Sequence, residues 1–141
     1  MLCISVEEFL FWKKKQLSKG GDKKSFEVLL DCIGGISTDD LNLKILNHKG
    51  NLHLKKNLEF LESLWEVHLL NSCPIQYLCG ITYWRDLKLK VTNKVLIPRP
   101  ETELIVDIVF NIFRKKSEKL FFAELGTGSG AISIALSLIH I

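Results

Sequence analysis

The apolar run Leu120-Phe121-Phe122-Ala123-Glu124-Leu125 leads without a break into Gly126-Thr127-Gly128-Ser129-Gly130 and then into the apolar segment that begins Ala131-Ile132. No other stretch constrains the fold as much. Six mostly apolar residues have the length of a buried strand, and glycines at alternate positions let the backbone turn with positive φ and leave main-chain amides bare. The segment that follows reads as a helix, whose N-terminal N–H groups lack partners of their own. This predicts a strand-loop-helix start of an α/β layer. Glu124, just before the loop, is placed to hold polar groups there. Dinucleotide enzymes favour GxGxxG, where a pyrophosphate meets the helix N-terminus, and here the third glycine comes one place early, which disfavours a nicotinamide cofactor. Taken alone, the spacing fits a cofactor loop and a plain strand-to-helix turn equally well.

The upstream residues follow a different rule. Ser5 and Glu8 form a capping box, with Ile4 and Phe9 as its hydrophobic staple, and Val6, Phe9, Leu10 and Leu17 mark the inner face of a helix that stops at Gly20-Gly21. Asp22 caps a second helix with Phe26, Leu29, Leu30 and Ile33 inside, closed by Gly34-Gly35. Ser37 or Thr38 opens a third with Leu41 and Ile45, and a longer helix carries Leu58, Leu61, Trp65 and Leu69. Residues 1–72 therefore read as an N-terminal helical bundle. Beyond Pro74 the period changes to two. Ile81, Tyr83, Leu87, Leu89 and Val91 alternate with Lys88, Lys90 and Thr92, with a turn at Arg85-Asp86, so residues 73–97 read as a linking β-hairpin. Pro100, Glu101 and Glu103 then open a helix, expected to face inward through Leu104, Ile105, Ile108, Val109 and Ile112, with basic residues at 114–116 near its end. Residues 98–141 complete the division. The fold class is α plus a truncated α/β element.

Composition narrows the function classes. A formal net charge of +3, spread among acids, offers no concentrated basic face, so direct nucleic-acid binding is not expected. The cysteines at 3, 32, 73 and 79 have no metal-ligand spacing and read as reduced thiols. His48, His53, His68 and His140 make no ligand set, and no metal is expected. The acidic start at Glu7-Glu8 is unlike an export signal, which makes the cytoplasm the default. Residues 125–141 lack Asp, Glu, Lys and Arg but hold three glycines and three serines, so no membrane span is expected. Trp12, Trp65 and Trp84 read as core.

Three stretches together carry a resemblance: Pro74-Ile75-Gln76-Tyr77-Leu78-x-Gly80, Val95-Leu96-Ile97-Pro98-Arg99-Pro100-Glu101-Thr102-Glu103-Leu104, and Glu124-Leu125-Gly126-Thr127-Gly128-Ser129-Gly130-Ala131-Ile132. Residues 74–141 closely resemble the peptide chain release factor glutamine N5-methyltransferases, whereas residues 1–73 match only in kind. The resemblance implies a Rossmann-like methyltransferase domain that uses S-adenosylmethionine to methylate the glutamine of the release factors' GGQ motif. It also implies a helical domain that docks the release factor, in a monomer. Gly126, Thr127, Gly128, Ser129 and Gly130 would form the cofactor loop with Glu124 behind it. Arg99, Glu101 and Thr102 would line the same pocket, Thr102 being equally suited to capping. The family's NPPY motif, which orients the target amide, is absent: the three prolines are Pro74, Pro98 and Pro100. No residue of this chain is therefore assigned a catalytic role, and the chain is expected to be inactive alone, as the front part of such an enzyme. The competing expectation is a non-catalytic protein-interaction module with a vestigial nucleotide-binding start.

Overall fold

The computed structural model describes residues 2–46, 50–114 and 121–139, so His48, Leu120, residues 115–116 and His140 lie outside the described residues. The chain divides into two compact units, Met1–Cys79 and Gly80–Ile141.

The first unit contains α1 (Val6–Ser18), α2 (Lys23–Leu29), α3 (Thr38–Leu46), α4 (Leu58–Asn71) and α5 (Ile75–Cys79). Three of its helix starts follow the predicted capping chemistry, and Asn57 adds a cap that was not predicted. The Ser5 hydroxyl accepts from the Glu8 N–H at 3.2 Å, Asp22 from Ser25 at 2.8 Å, Ser37 from Asp40 at 3.1 Å and Asn57 from Phe60 at 3.0 Å. Each side chain satisfies one N–H that the first helical turn leaves over. One inner face differs from expectation: Val6, Phe9, Trp12 and Gln16 are the buried residues of α1, while Leu10 and Leu17 sit at the edge of the core. Phe9, Trp12, Phe26 and Trp65 form a chain of rings, the Phe26–Trp65 pair meeting edge to face at 4.8 Å. Such tilted geometries suit the ring quadrupole. α2 runs directly into a π-helical turn, Leu30–Gly34, closed by Gly35 in the left-handed conformation.

Two features of this unit have no counterpart in the sequence reading. Residues Leu2–Ser5 (β1) pair antiparallel with Asn51–Leu54 (β2), with Ile4 opposite Leu52 and Leu2 opposite Leu54. Ile4, Leu52 and Leu54 enter the same core as the helices. Four residues are too few for a period of two to stand out, and the pairing joins segments far apart in sequence. The bundle is thus a helical unit with a two-stranded edge. The second addition is α5, a short helix where only the approach to the hairpin was expected. It packs on α2 and α4 and buries Ile75.

In the second unit, β3 (Ile81–Trp84) and β4 (Leu87–Lys90) form the predicted hairpin around Arg85-Asp86, and Arg85 adopts a φ of 50°. The register pairs Thr82 with Leu89 and Trp84 with Leu87. Thr82, Trp84 and Leu89 are buried, and Tyr83 is exposed. The inner face of β3 is therefore the opposite of the one expected from Ile81 and Tyr83, because directly paired residues share a face and β4 fixes which one.

A turn of 3-10 helix, Pro100–Thr102, with proline in its first turn, leads into α6 (Glu103–Phe113), and α7 (Ala131–Ile139) closes the described chain. α6 packs against α7. Val106, which the expected stripe did not include, is its buried residue; of that stripe Val109 packs beside it, half-buried, while Leu104, Ile105, Ile108 and Ile112 are exposed. α6 is apolar around most of its circumference, so periodicity alone does not select the face that α7 covers.

The expected strand before the glycine loop is not formed. Residues 121–124 carry no strand pairing, and Phe121 and Leu125 are exposed. A parallel strand needs other strands to pair with and cover on both faces, whereas here the Phe122 ring meets a helix residue, Phe113, edge to face at 5.7 Å. Of the expected strand-loop-helix, the described residues form the loop and the helix. No described helix is long and apolar enough to cross a membrane.

Candidate functional site

The segment from Glu124 to Ser133 is built around three left-handed glycines. Gly126, Gly128 and Gly130 have φ of 74°, 55° and 75°, a region costly for residues with a Cβ. The turn closes by a Gly130 N–H to Thr127 carbonyl bond of 2.8 Å, and α7 begins at once, with the Ile134 N–H donating to the Gly130 carbonyl at 2.9 Å. A Cβ added at Gly126 would meet nothing within 4 Å; at Gly128 it would find only the Gly126 carbonyl oxygen, at 3.9 Å. Neither glycine is required by packing. The main chain there lies open to a ligand on a stretch without bulky side chains.

Gly130 precedes α7 and has no side chain to cap it. Glu124 takes over that role. Its carboxylate accepts from the Ser133 N–H at 3.1 Å and from the Ser133 hydroxyl, and its carbonyl accepts from the Thr127 hydroxyl at 3.4 Å. A negative charge is stabilised at the positive end of a helix, so the acid orders the loop from behind and neutralises part of the α7 N-terminus. Gly126, Thr127 and Gly128 are exposed, and Ser129 and Gly130 are half-buried.

The second predicted segment, residues 96–103, is held through two backbone carbonyls and the Glu103 carboxylate. The Trp84 indole N–H donates to the Arg99 carbonyl at 2.9 Å. The Arg85 N–H donates to a Glu103 carboxylate oxygen at 3.3 Å, and its guanidinium reaches the Glu103 carbonyl at 3.2 Å and Asp107 at 2.8 Å. The hairpin tip therefore fixes the entry to α6. Arg99 and Glu101 are exposed and Thr102 is half-buried. Thr102 occupies the cap position of α6 but makes no side-chain cap hydrogen bond and has helical backbone angles, so capping does not explain it. The side chains of Arg99, Glu101 and Thr102 form no hydrogen bond or ion pair with the loop among the described residues. The two segments are related through their helices: Val106, in the first turn of α6, and Ala131, the first residue of α7, belong to one cluster with Trp84 and Leu89.

Ser133 escaped the sequence reading, which took Trp84 only as core and Arg85 only as part of the hairpin turn. Ser133 was detectable in principle, as a hydroxyl in the first turn of a helix whose cap residue is glycine. Trp84 and Arg85 carried no such signal, because their partners are backbone carbonyls and a helix fifteen or more residues away. No group of three or more metal-ligating side chains comes together among the described residues.

No protein-family model matches the chain. It is similar to the release factor glutamine methyltransferase of Prochlorococcus marinus, with 42% identity over 140 residues, covering 95% of this chain and 46% of that protein. It is also similar to that of Synechocystis, with 36% identity over 95% of this chain and 47% of the relative, and to that of Gloeobacter violaceus, with 34% identity over 89% and 43%. The chain thus spans just under half the length of these curated relatives.

Proposed function

We propose, for a chain that belongs to the release factor glutamine methyltransferase family, that the open loop Gly126, Thr127, Gly128, Ser129 and Gly130 binds S-adenosylmethionine and that residues 96–103 line the same pocket. The observation that carries this reading is the run of three left-handed glycines, two of them with space where a side chain would stand, in front of a helix N-terminus already anchored by Glu124. Glycine main chain lets a ligand approach the backbone without side-chain bulk. Arg99, Glu101 and Thr102, none of which is engaged with the loop, supply the polar lining.

The cofactor would provide an electrophilic methyl group, and the acceptor would be the glutamine side-chain nitrogen in the GGQ motif of a peptide chain release factor. That nitrogen is a weak nucleophile because its lone pair is delocalised into the carbonyl. Transfer therefore depends on groups that orient the amide and accept its hydrogens. No Asn-Pro-Pro-Tyr run occurs in these 141 residues. The part proposed for this chain is cofactor binding and release-factor docking, without turnover on its own. In this reading residues 1–72 dock the factor, 73–97 link, and 98–141 open the methyltransferase domain of a monomeric cytoplasmic enzyme.

The test is calorimetric titration of the chain with S-adenosylmethionine and, separately, with NADH. Binding of the first but not the second is expected, and Gly128→Val should abolish it by placing a branched side chain in the open space. Binding of NADH alone, or of neither, would sink the cofactor reading. The closed core of the first unit favours one alternative, a non-catalytic interaction module. Capture of a release factor by a chain that shows no heat with S-adenosylmethionine would establish that instead.

A further inference from the structure

The two-stranded edge of the first unit carries a groove in which the glycine loop has no part. β1 pairs with β2 along one side, and its other side meets no described strand. A cavity of about 290 Å³ is lined by Leu2, Cys3 and Ile4 of β1, by Glu8 of α1, and by Asn57, Leu58 and Glu59 at the start of α4. Successive side chains of a strand point to opposite faces, so a cavity that touches three in a row runs beside the strand and not over one of its faces. No residue of β2 lines it. The groove therefore follows the edge of β1 that lacks a strand partner, with the first turn of α4 as its other wall.

Charge and size narrow what can enter. Glu8 and Glu59 come from two different helices, both are exposed, and neither forms an ion pair among the described residues. No lysine or arginine lines the groove. Lys56, next to that wall in sequence, lies over the Phe60 ring at 5.4 Å from its centre, and the Asn57 side chain is taken up by the Phe60 N–H. The volume is at the lower limit of small-molecule pockets, roughly 300 Å³, which suits one or two side chains rather than a cofactor. We propose that this groove binds an extended peptide segment bearing lysine or arginine, which adds to β1 as a third strand and brings a cationic side chain to Glu8 and Glu59. An open strand edge is a template for such pairing, in which main-chain hydrogen bonds give affinity and pockets for alternate side chains give selectivity. Leu2 and Leu58, both half-buried, offer apolar surface to the aliphatic stem of the basic side chain. The proposal holds whether or not residues 1–72 dock a release factor, because it concerns a peptide of stated chemistry and not a particular protein.

The probe is a blocked hexapeptide in which valine alternates with lysine, titrated into the isotope-labelled full chain while its amide signals are followed. Signals of Leu2, Cys3, Ile4, Glu8, Asn57, Leu58 and Glu59 should move, and alkylation of Cys3 by iodoacetamide should slow while that of Cys73 does not change. The double variant Glu8→Gln, Glu59→Gln should weaken binding by roughly five- to tenfold, with the circular dichroism spectrum of the parent chain retained. Methylating one of the two alternate sets of peptide nitrogens should abolish binding, and methylating the other should leave it largely intact, since only one set faces β1. Equal binding of a valine and glutamate peptide, indifference to both methylated forms, signals that move at β3 and β4 instead, or no movement at millimolar peptide would each overturn the proposal. So would a concentration-dependent movement of the same signals without peptide, which would assign the groove to a second copy of the chain.

Discussion

Gly21 and Gly126 have nearly the same backbone, with φ of 82° and 74°, yet opposite surroundings. A Cβ on Gly21 would stand 2.5 Å from the Trp65 ring and 2.9 Å from Leu69, whereas one on Gly126 would meet nothing within 4 Å. The first glycine is required by the fold of its unit. The second leaves main chain uncovered in a place where the fold gains nothing from it. The difference extends to the units as wholes. The first buries Phe9, Phe26, Leu29, Leu61 and Trp65 completely and closes around them. In the second, Trp84, Leu89, Val91 and Val106 are buried, but Leu96, Leu104, Phe121 and Leu125 are more than 60% exposed. An apolar surface of that kind marks a face that other structure covers. A closed core and an open one therefore stand on one chain, and the candidate site belongs to the open one.

The largest way to break the contrast is Trp65→Ala. It removes the ring at the centre of the aromatic chain and should cost roughly 3–5 kcal/mol, enough to unfold a unit of this size. Urea unfolding followed by far-UV circular dichroism would report it, and a cost below about 1 kcal/mol would mean that the core is not organised around this ring. Next in size is the glycine pair itself. Gly21→Ala combines overpacking with a left-handed backbone and should cost roughly 2–4 kcal/mol, against about 1–2 kcal/mol for Gly126→Ala, where only the backbone term applies. Equal costs would erase the distinction.

Glu124→Ala should cost about 1 kcal/mol, the usual value of a lost helix cap, and should raise hydrogen exchange at the Ser133 amide. Glu124→Gln keeps an acceptor and should lose less. The smallest effect is a pH dependence in the first unit. Cys79 keeps its proton in the folded chain up to about pH 12, whereas an ordinary thiol loses it near 9.0. The folded state therefore binds more protons in that window, and the stability from this group is fully present below about pH 9 and lost as pH rises toward 12. Thermal melts across that range should fall less steeply for Cys79→Ala than for the parent chain.

Local chemistry was legible in the sequence wherever one short segment contains both partners. The caps at Ser5, Asp22 and Ser37, the hairpin turn at Arg85-Asp86 and the glycine loop each complete their bonding within a few residues. What the sequence left undecided was the choice of face. Thr82 and Trp84 point inward because Leu89 and Leu87 lie opposite them, and α6 buries Val106 because that is where α7 lies.

The sequence by itself determined which segments turn, cap and bend left-handed, since these follow from glycine freedom, proline geometry and side chains that bond their neighbours. Only the tertiary structure decided that β1 pairs with β2, which faces of β3 and α6 turn inward, and that residues 121–124 form no strand. Those outcomes depend on atoms distant in sequence, and no local pattern encodes them.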